Sequence, residues 1–153
     1  MIRKFVTNTL VLVLLIGVSG LVYIRLAPDD ILALHTTPPA GAVPGSPVTL
    51  PGGYLLEENS ELPPEKLLQR LHSVILQTPR TKLIAGMPSE GMATYVTRSL
   101  VFGFPDYTTI RVAPEGDGSR FQIYARLRYG RSDFGVNRER VTGWLRTLEA
   151  GRQ

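Results

Sequence analysis

Arginine and short polar side chains concentrate between residues 126 and 138, near the C-terminal end of the chain. Guanidinium groups pair well with phosphate and carboxylate groups, and the N-terminus of a helix attracts anions. Because a helix is predicted to begin at Ser132 and Asp133, this segment is the chain's candidate ligand site. The predicted ligand-binding residues are Arg126, Arg128, Arg131, Ser132, Asp133, Asn137 and Arg138.

Two interpretations of this segment stay open. In the structural one, Ser132 or Asp133 caps the helix, and the buried amide of Asn137 pairs for folding reasons. The partners available to it are Arg126, Arg128 or the backbone at the strand end. In the functional one, an anion site at the helix start is lined by Arg128, Arg131 and Arg138. The structural interpretation is favoured, because buried polar groups are usually paired for folding.

The sequence lacks the residues and motifs of common catalytic and metal sites. It contains no cysteine and two histidines, which excludes thiolate chemistry and multi-histidine metal sites. It has no G-x-x-x-x-G-K-S/T phosphate loop, no G-x-S-x-G elbow and no H-E-x-x-H motif. We therefore predict a non-catalytic protein with no catalytic residue, no bound metal and no cofactor.

The net charge of +4 divides unevenly along the 153 residues. Arg3, Lys4 and Arg25 flank an apolar segment, and no acidic residue precedes Asp29. Beyond residue 26, 14 basic residues face 13 acidic ones, so the remainder is nearly neutral. A nucleic-acid-binding protein carries a broad basic surface, and we predict no nucleic acid as a partner.

The apolar segment is predicted to anchor the chain in a membrane. Phe5 to Ile24 is a run of 20 uncharged residues, and at 1.5 Å per residue a helix of this length spans the ~30 Å core of a bilayer. The alternative is a cleaved signal peptide, whose apolar core is shorter, roughly 7–15 residues. Tyr23 and Arg25 are typical of interfacial anchors, so a retained anchor over residues 1–26 is favoured.

The flanking charges predict the orientation of this anchor. Arg3 and Lys4 favour a cytoplasmic N-terminus, while Arg25 is opposed by Asp29 and Asp30 on the other side. The expected location is the bacterial inner membrane, crossed once, with the domain in the periplasm. The predicted partners are the lipid bilayer and, in one alternative, another inner-membrane protein.

Residues 27–53 are predicted to be a linker rich in proline and glycine. Six prolines and four glycines in this stretch favour turns and extended backbone over a regular helix or central strand. Asp30 to Leu34 has the composition for one helical turn. His35 stands alone, and no role is assigned to it.

Residues 54–150 are predicted to form an α+β domain. A strand over 54–58 precedes a helix that begins near Pro64 and ends before Pro79, with leucines at helical spacing. Four further strands are predicted over 81–85, 93–102, 107–113 and 120–129. Their hairpin-length connections predict an antiparallel sheet of four to five strands, covered on one face by two helices.

The second helix is predicted to run from Ser132-Asp133 to Gly151. Its apolar side combines Phe134, Val141, Leu145 and Leu148, with Trp144 adjoining. Asn137 lies three residues after Phe134 and four before Val141, which puts it on or near this buried side. The strand before this helix alternates apolar and polar residues, so its other face meets solvent or a ligand.

Two strings carry a resemblance to a known family. Residues 102–107 read F-G-F-P-D-Y, and residues 129–141 contain G-R-S-D-F-G-V-N-R-E-R-V. Residues 54–150 resemble the bacterial and plastid family catalogued as domain of unknown function 1499. The resemblance implies the domain and fits the N-terminal hydrophobic segment that members often carry, but it implies no activity. Many relatives are expected to have a second acid, after Asp106, or an aliphatic residue at position 107, where this chain has Tyr107. Whether this turn holds a paired-carboxylate site therefore stays open.

The function predicted from these features is a membrane-anchored, extracytoplasmic, non-catalytic binding module. Its expected ligand is a lipid or an envelope component, bound on the second face of the sheet or in a groove under the helices. The alternative is an accessory single-span subunit of an inner-membrane protein complex. An enzyme ranks last, because no catalytic constellation is visible in the sequence.

Overall fold

A computed structural model describes residues 1–151 of the chain. A long apolar helix leads into a sheet with two helices on one side. The elements are α1 (Ile2–Leu26), α2 (Ile31–Leu34), β1 (Val48–Leu50), β2 (Gly53–Ser60), α3 (Pro64–Leu76), β3 (Thr81–Met87), β4 (Met92–Arg98), β5 (Pro105–Glu115), β6 (Gly118–Leu127) and α4 (Val136–Ala150).

Helix α1 has the length and composition predicted for a membrane span. Its 25 residues have a mean hydropathy of 2.3 over the most apolar window, and none of that window is buried against the domain. Asp30 accepts a hydrogen bond from the Ala33 N–H and so starts the single turn of α2. The helical turn predicted at residues 30–34 is therefore present.

The sheet has six antiparallel strands in the order β1-β2-β6-β5-β4-β3, so the fold is α+β as predicted. The strand count exceeds the expected four to five, because Val48–Leu50 in the predicted linker pairs with the start of β2. This short strand lies at the edge of the sheet, where neighbouring prolines are tolerated.

The strand predicted over 93–102 is too long. β4 ends at Arg98, and the Ser99 N–H donates to the Phe104 carbonyl (2.9 Å) while the Ser99 hydroxyl accepts from the Phe104 N–H (2.9 Å). These two bonds close a turn that takes the intervening apolar residues out of the sheet. Leu100 and Val101 are consequently 71% and 68% exposed.

Helices α3 and α4 cover the same face of the sheet, as predicted. Leu67, Leu68 and Leu71 of α3 are fully buried against strand residues such as Ile110 and Ile123. On α4, Val141 and Trp144 are buried and Leu145 and Leu148 pack at the edge of the same core. Phe134 was expected on this side and is instead 96% exposed, because α4 begins only at Val136, after Gly135 in the left-handed region (φ 84°).

The opposite face of the sheet is covered in part by residues 27–46, which we call the strap. Ala27, Pro38 and Ala42 of the strap are buried, and the Gly45 N–H donates to the Glu57 carbonyl of β2 (3.3 Å). His35 hydrogen-bonds the Thr94 hydroxyl on β4 (2.9 Å). The chain therefore leaves α1 and folds directly onto the sheet.

Candidate functional site

The seven residues predicted to bind a ligand lie on two sides of the sheet. Arg126 of β6 alternates with the buried Ala125 and so points to the strap side, and Arg128, directly after the end of β6, binds the strap as well. Asn137 belongs to α4, which covers the other side. Arg126 and Arg128 were expected as hydrogen-bond partners of Asn137, and this expectation is wrong because they lie on the other side of the sheet.

Arg128 joins the strap to the sheet. One of its guanidinium nitrogens donates to the Asp29 carboxylate (3.2 Å) and to the Tyr107 hydroxyl (3.0 Å), and the other donates to the Pro28 carbonyl (2.9 Å). The Tyr107 hydroxyl in turn donates to Asp29 (2.5 Å). Burial, and then the bond to Asp29, raise the pKa of Tyr107 to about 12, so the hydroxyl keeps its proton at neutral pH. The position that departs from the family string thus holds the strap.

Arg126 binds the middle of the strap. Its guanidinium donates to the Leu34 carbonyl (2.5 Å) and to the Thr109 hydroxyl (3.1 Å), and it lies 4.7 Å from the centre of the Tyr124 ring. Burial lowers the pKa of this guanidinium from its ordinary high value, and it stays charged at neutral pH. Both arginines are engaged by this chain's own backbone and side chains.

The helix side holds a separate polar network. The Arg140 guanidinium donates to the Asn137 side-chain oxygen (2.8 Å) and to the Asp106 carboxylate (2.9 Å) at the start of β5. Asn137 is fully buried, and its side-chain nitrogen has no hydrogen-bond partner among residues 1–151. Burial raises the pKa of the Asp106 carboxyl, and the bond from Arg140 offsets part of that rise. Arg140 was not among the predicted site residues.

The N-cap position of α4 is Gly135, not the predicted Ser132 or Asp133, but the Asp133 side chain still binds N–H groups at the helix start. Its carboxylate accepts the N–H groups of Asn137 (2.9 Å) and Gly135 (3.1 Å). Partial burial alone would raise the pKa of Asp133, but these N–H donors outweigh it and lower the pKa. Ser132 accepts the Phe134 N–H (3.3 Å) and supports the same turn. Arg131 and Arg138 are exposed.

A third group of basic residues surrounds a cavity of about 300 Å³ where α1 meets the sheet. The side chain of Arg25, from the last turn of α1, donates to the Val101 carbonyl (3.0 Å). Arg98 donates to the carbonyls of Ile24 (3.4 Å) and Gly103 (3.2 Å), and its guanidinium lies 4.0 Å from the Asp29 carboxylate. The lining residues are Arg25, Arg80, Lys82, Val96, Arg98, Ser99, Leu100 and Gly103.

Arg80 has an unusual backbone in this cavity. Its φ of 61° lies in the left-handed region, which costs a residue with a Cβ roughly 1–2 kcal/mol. Its side chain donates to the Arg98 carbonyl (3.0 Å), which holds two basic residues of the cavity side by side. Strained residues of this kind occur often at ligand sites.

The cavity has the chemistry of an anion site. Four cationic side chains surround it, and one of them, Arg98, forms an ion pair with the Asp29 carboxylate. Sequence inspection missed it because its residues come from segments near 25, 80 and 98, none of which is basic enough to stand out alone. Arg25, the basic residue in the last turn of the apolar helix, was the available sign of this site in the sequence.

The fold and these sites define an α+β protein with an N-terminal apolar helix long enough to cross a membrane. The chain belongs to the family described as "Protein of unknown function (DUF1499)", whose profile matches residues 46–148. The match confirms the resemblance and begins before residue 54, so it includes the edge strand β1.

Several solved structures match part of this chain. Ara h 8.0201 is 12% identical with a TM-score of 0.48, over 64% of this chain and 95% of that one. Protein MLL2253 from Mesorhizobium loti is 13% identical with a TM-score of 0.44, over 66% and 98%. Protein Ms6760 from Mycobacterium smegmatis is 9% identical with a TM-score of 0.36, over 70% and 99%. No curated protein matches the chain.

Proposed function

We propose that this protein is a membrane-anchored, non-catalytic module that binds an anionic group of a membrane lipid or envelope component. The bound group lies in the cavity between Arg25, Arg80, Lys82 and Arg98. The main support for this proposal is that these four cationic side chains surround one cavity at the end of an apolar helix. Val96 and Arg98 of this cavity lie on the second face of the sheet, the ligand surface expected earlier, beside the part that the strap covers.

The position of Arg25 supports a lipid headgroup as the ligand. It follows the 20 uncharged residues directly, so in a spanning helix its side chain lies at the level of the phosphates. A basic side chain near an anionic membrane surface contributes about 1 kcal/mol to binding. A cavity of about 300 Å³ is at the lower end for small-molecule sites, which suits a polar headgroup better than a whole lipid.

The proposed location is the bacterial inner membrane, with the domain on the periplasmic side. Arg3 and Lys4 before the span support this orientation. A reporter active only outside the cytoplasm is expected to work when fused to the C-terminus, with Met1 to Ile24 retained in the mature chain. A cytoplasmic C-terminus, or a mature N-terminus near Leu21, would contradict the anchor.

The lipid site is tested with the full chain purified in a non-ionic detergent. Native mass spectrometry with added phosphatidylglycerol or phosphatidylcholine counts the bound lipids, and lipids that co-purify are identified in the same spectra. We expect selective binding of phosphatidylglycerol, weakened on the order of 10-fold or more in the double variant Arg80→Gln/Lys82→Gln, since two cations are lost. Competition by inorganic phosphate separates a general phosphate site from a lipid site.

The matched control is Lys66→Gln/Arg70→Gln, which removes the same charge from a cleft between α3 and α4. It is expected to leave binding unchanged. Equal loss in both double variants would mean that net charge alone attracts the lipid, and the cavity would then have no specific role.

A second candidate function is that of an accessory subunit in an inner-membrane protein complex. The exposed apolar residues beside the end of α1, Leu100, Val101 and Phe102, favour it, because large exposed apolar groups often mark contact surfaces. Co-purification of a stoichiometric membrane protein that is lost on substitution of these residues would support this candidate.

A further inference from the structure

The turn between β4 and β5, residues 99–104, carries four exposed or half-exposed apolar side chains, and we call it the tip loop. Leu100, Val101 and Phe102 are 50% or more exposed, and Phe104 is 36% exposed. The sequence predicts Leu100, Val101 and Phe102 as part of a strand, which the structure ends at Arg98. Exposing such an apolar cluster to water is unfavourable in free energy, which indicates that another apolar surface covers it.

The tip loop is attached to the end of the anchor. Arg25 reaches the Val101 carbonyl (3.0 Å), and Arg98 connects the Gly103 carbonyl to the Ile24 carbonyl at the end of α1. A position that is one arginine side chain away from the last turn of a membrane span lies at the depth of the headgroups. The tip loop is therefore continuous with the surface by which the anchor meets lipid.

The side chains in and beside the tip loop match those of an interfacial contact. The rings of Phe102 and Phe104 are 5.8 Å apart, and Phe104 contacts the ring of Tyr129 (6.2 Å). Arg128 lies 5.2 Å from the Tyr129 ring. Aromatic rings beside arginines are typical of the boundary between acyl chains and headgroups.

We propose that the tip loop inserts its apolar side chains into the bilayer that holds α1. This inference rests on the proposed membrane anchorage and adds a second point of contact. Two contacts hold the domain in one orientation, and the basic cavity then faces the headgroups. β5 has 11 residues, so its opposite end lies on the order of 35 Å along the strand from the tip loop and stays in water.

The test uses the full chain in vesicles of phosphatidylcholine and phosphatidylglycerol. The natural chain has no cysteine, so a single cysteine can carry a polarity-sensitive fluorophore. Leu100→Cys and Val101→Cys probe the tip loop, and both sites are exposed enough to accept the label. Leu14→Cys, in the exposed middle of α1, reports anchor insertion, and Asp117→Cys, exposed in the β5–β6 turn, reports water.

Lipids with a nitroxide near the headgroup are expected to quench both tip-loop probes and shift their emission to the blue, without quenching the Asp117 probe. If both tip-loop probes match Asp117 while Leu14 is quenched by nitroxides deep in the acyl chains, tip insertion is wrong and the anchor stands. Shielding of the tip loop from water without lipid quenching would assign its contact to a second copy and overturn insertion. An unquenched Leu14 probe would overturn the anchor and tip insertion together.

Discussion

At the scale of single residues, Asn137 and Arg140 connect α4 to the sheet. Asn137 is buried beside Val141, and its oxygen accepts from Arg140, which also pairs with Asp106. The unpaired nitrogen of Asn137 lowers the net benefit of this network, but loss of the oxygen leaves a half-buried guanidinium short of an acceptor. These contacts favour a structural role for this part of the family string.

We predict that Asn137→Ala destabilises the domain by roughly 1–3 kcal/mol, because a donor of Arg140 is left without its partner. Arg138→Ala changes an exposed neighbour and is expected to alter stability by less than about 0.5 kcal/mol. Thermal or urea unfolding of both variants measures the difference. Equal stability of Asn137→Ala and the natural chain would rule out the structural role.

Asp133 gives a pH-dependent prediction. Its pKa is lower in the folded chain than in the unfolded one, so its contribution is present above the unfolded pKa and is lost as pH falls through the folded pKa. The two N–H groups bind different oxygens of Asp133, so Asp133→Asn keeps one acceptor, leaves the other N–H without its partner and removes the charge at the helix start. We expect it to be less stable by roughly 0.5–2 kcal/mol at pH 7.

The measurement for Asp133 is the stability difference between the natural chain and the variant across pH 2–7. The difference in unfolding free energy should shrink as pH falls below about 4, where the carboxyl of the unfolded chain takes up its proton before that of the folded chain. A difference that stays constant over this range would mean that the charge of Asp133 adds nothing.

At the scale of elements, α3 is held by the leucines that face the sheet. Leu71 is completely buried in the core, whereas Leu76, in the last position of the same helix, is 43% exposed. The same substitution at these two sites therefore separates core packing from helix propensity. Leu145 on α4 has an intermediate position, packed at the edge of the core.

We predict that Leu71→Ala destabilises the domain by roughly 2–5 kcal/mol, since it removes buried methyl groups and leaves a cavity. Leu76→Ala should have a much smaller effect, and Leu145→Ala should fall between them. Melting temperatures of the three variants test this order. A similar loss for Leu71→Ala and Leu76→Ala would contradict the assigned faces of α3.

At the scale of the whole molecule, the strap connects the anchor to the domain through a packed surface. Arg126, Arg128 and Tyr107 bind its backbone and its Asp29 carboxylate. Gly86 admits the strap because a Cβ there would collide with the Met92 carbonyl and lie 2.7 Å from the His35 ring. The domain therefore has a defined direction relative to the end of α1.

We predict that Tyr107→Phe loosens the first part of the strap. The change removes the hydroxyl between Asp29 and Arg128, and one hydrogen bond to a charged group contributes roughly 1.5–3 kcal/mol. Hydrogen exchange of the full chain should become faster at amides 27–35. Tyr124→Phe, which keeps the ring beside Arg126, is the control, and equal exchange in both variants would show that the hydroxyl does not hold the strap.

The sequence by itself determined the local properties of this protein. The length of the uncharged run predicted α1, and the spacing of apolar residues predicted both covering helices and most strands. The position of Asn137 between Phe134 and Val141 predicted its burial. These features depend on residues within a few positions of each other. The family string, also local, was sufficient for family membership.

Only the tertiary structure decided which segments meet. The alternation that runs along β6 to its end predicts that Arg126 and Arg128 share a face, but their partners are strap residues 92 and 99 positions earlier, Leu34 and Asp29. The cavity likewise combines Arg25, Arg80 and Arg98. Such contacts form because the strap buries Ala27, Pro38 and Ala42 on the sheet and offers hydrogen-bond acceptors to the arginines there. The alternation of residues along a strand carries no information about the segment that covers it.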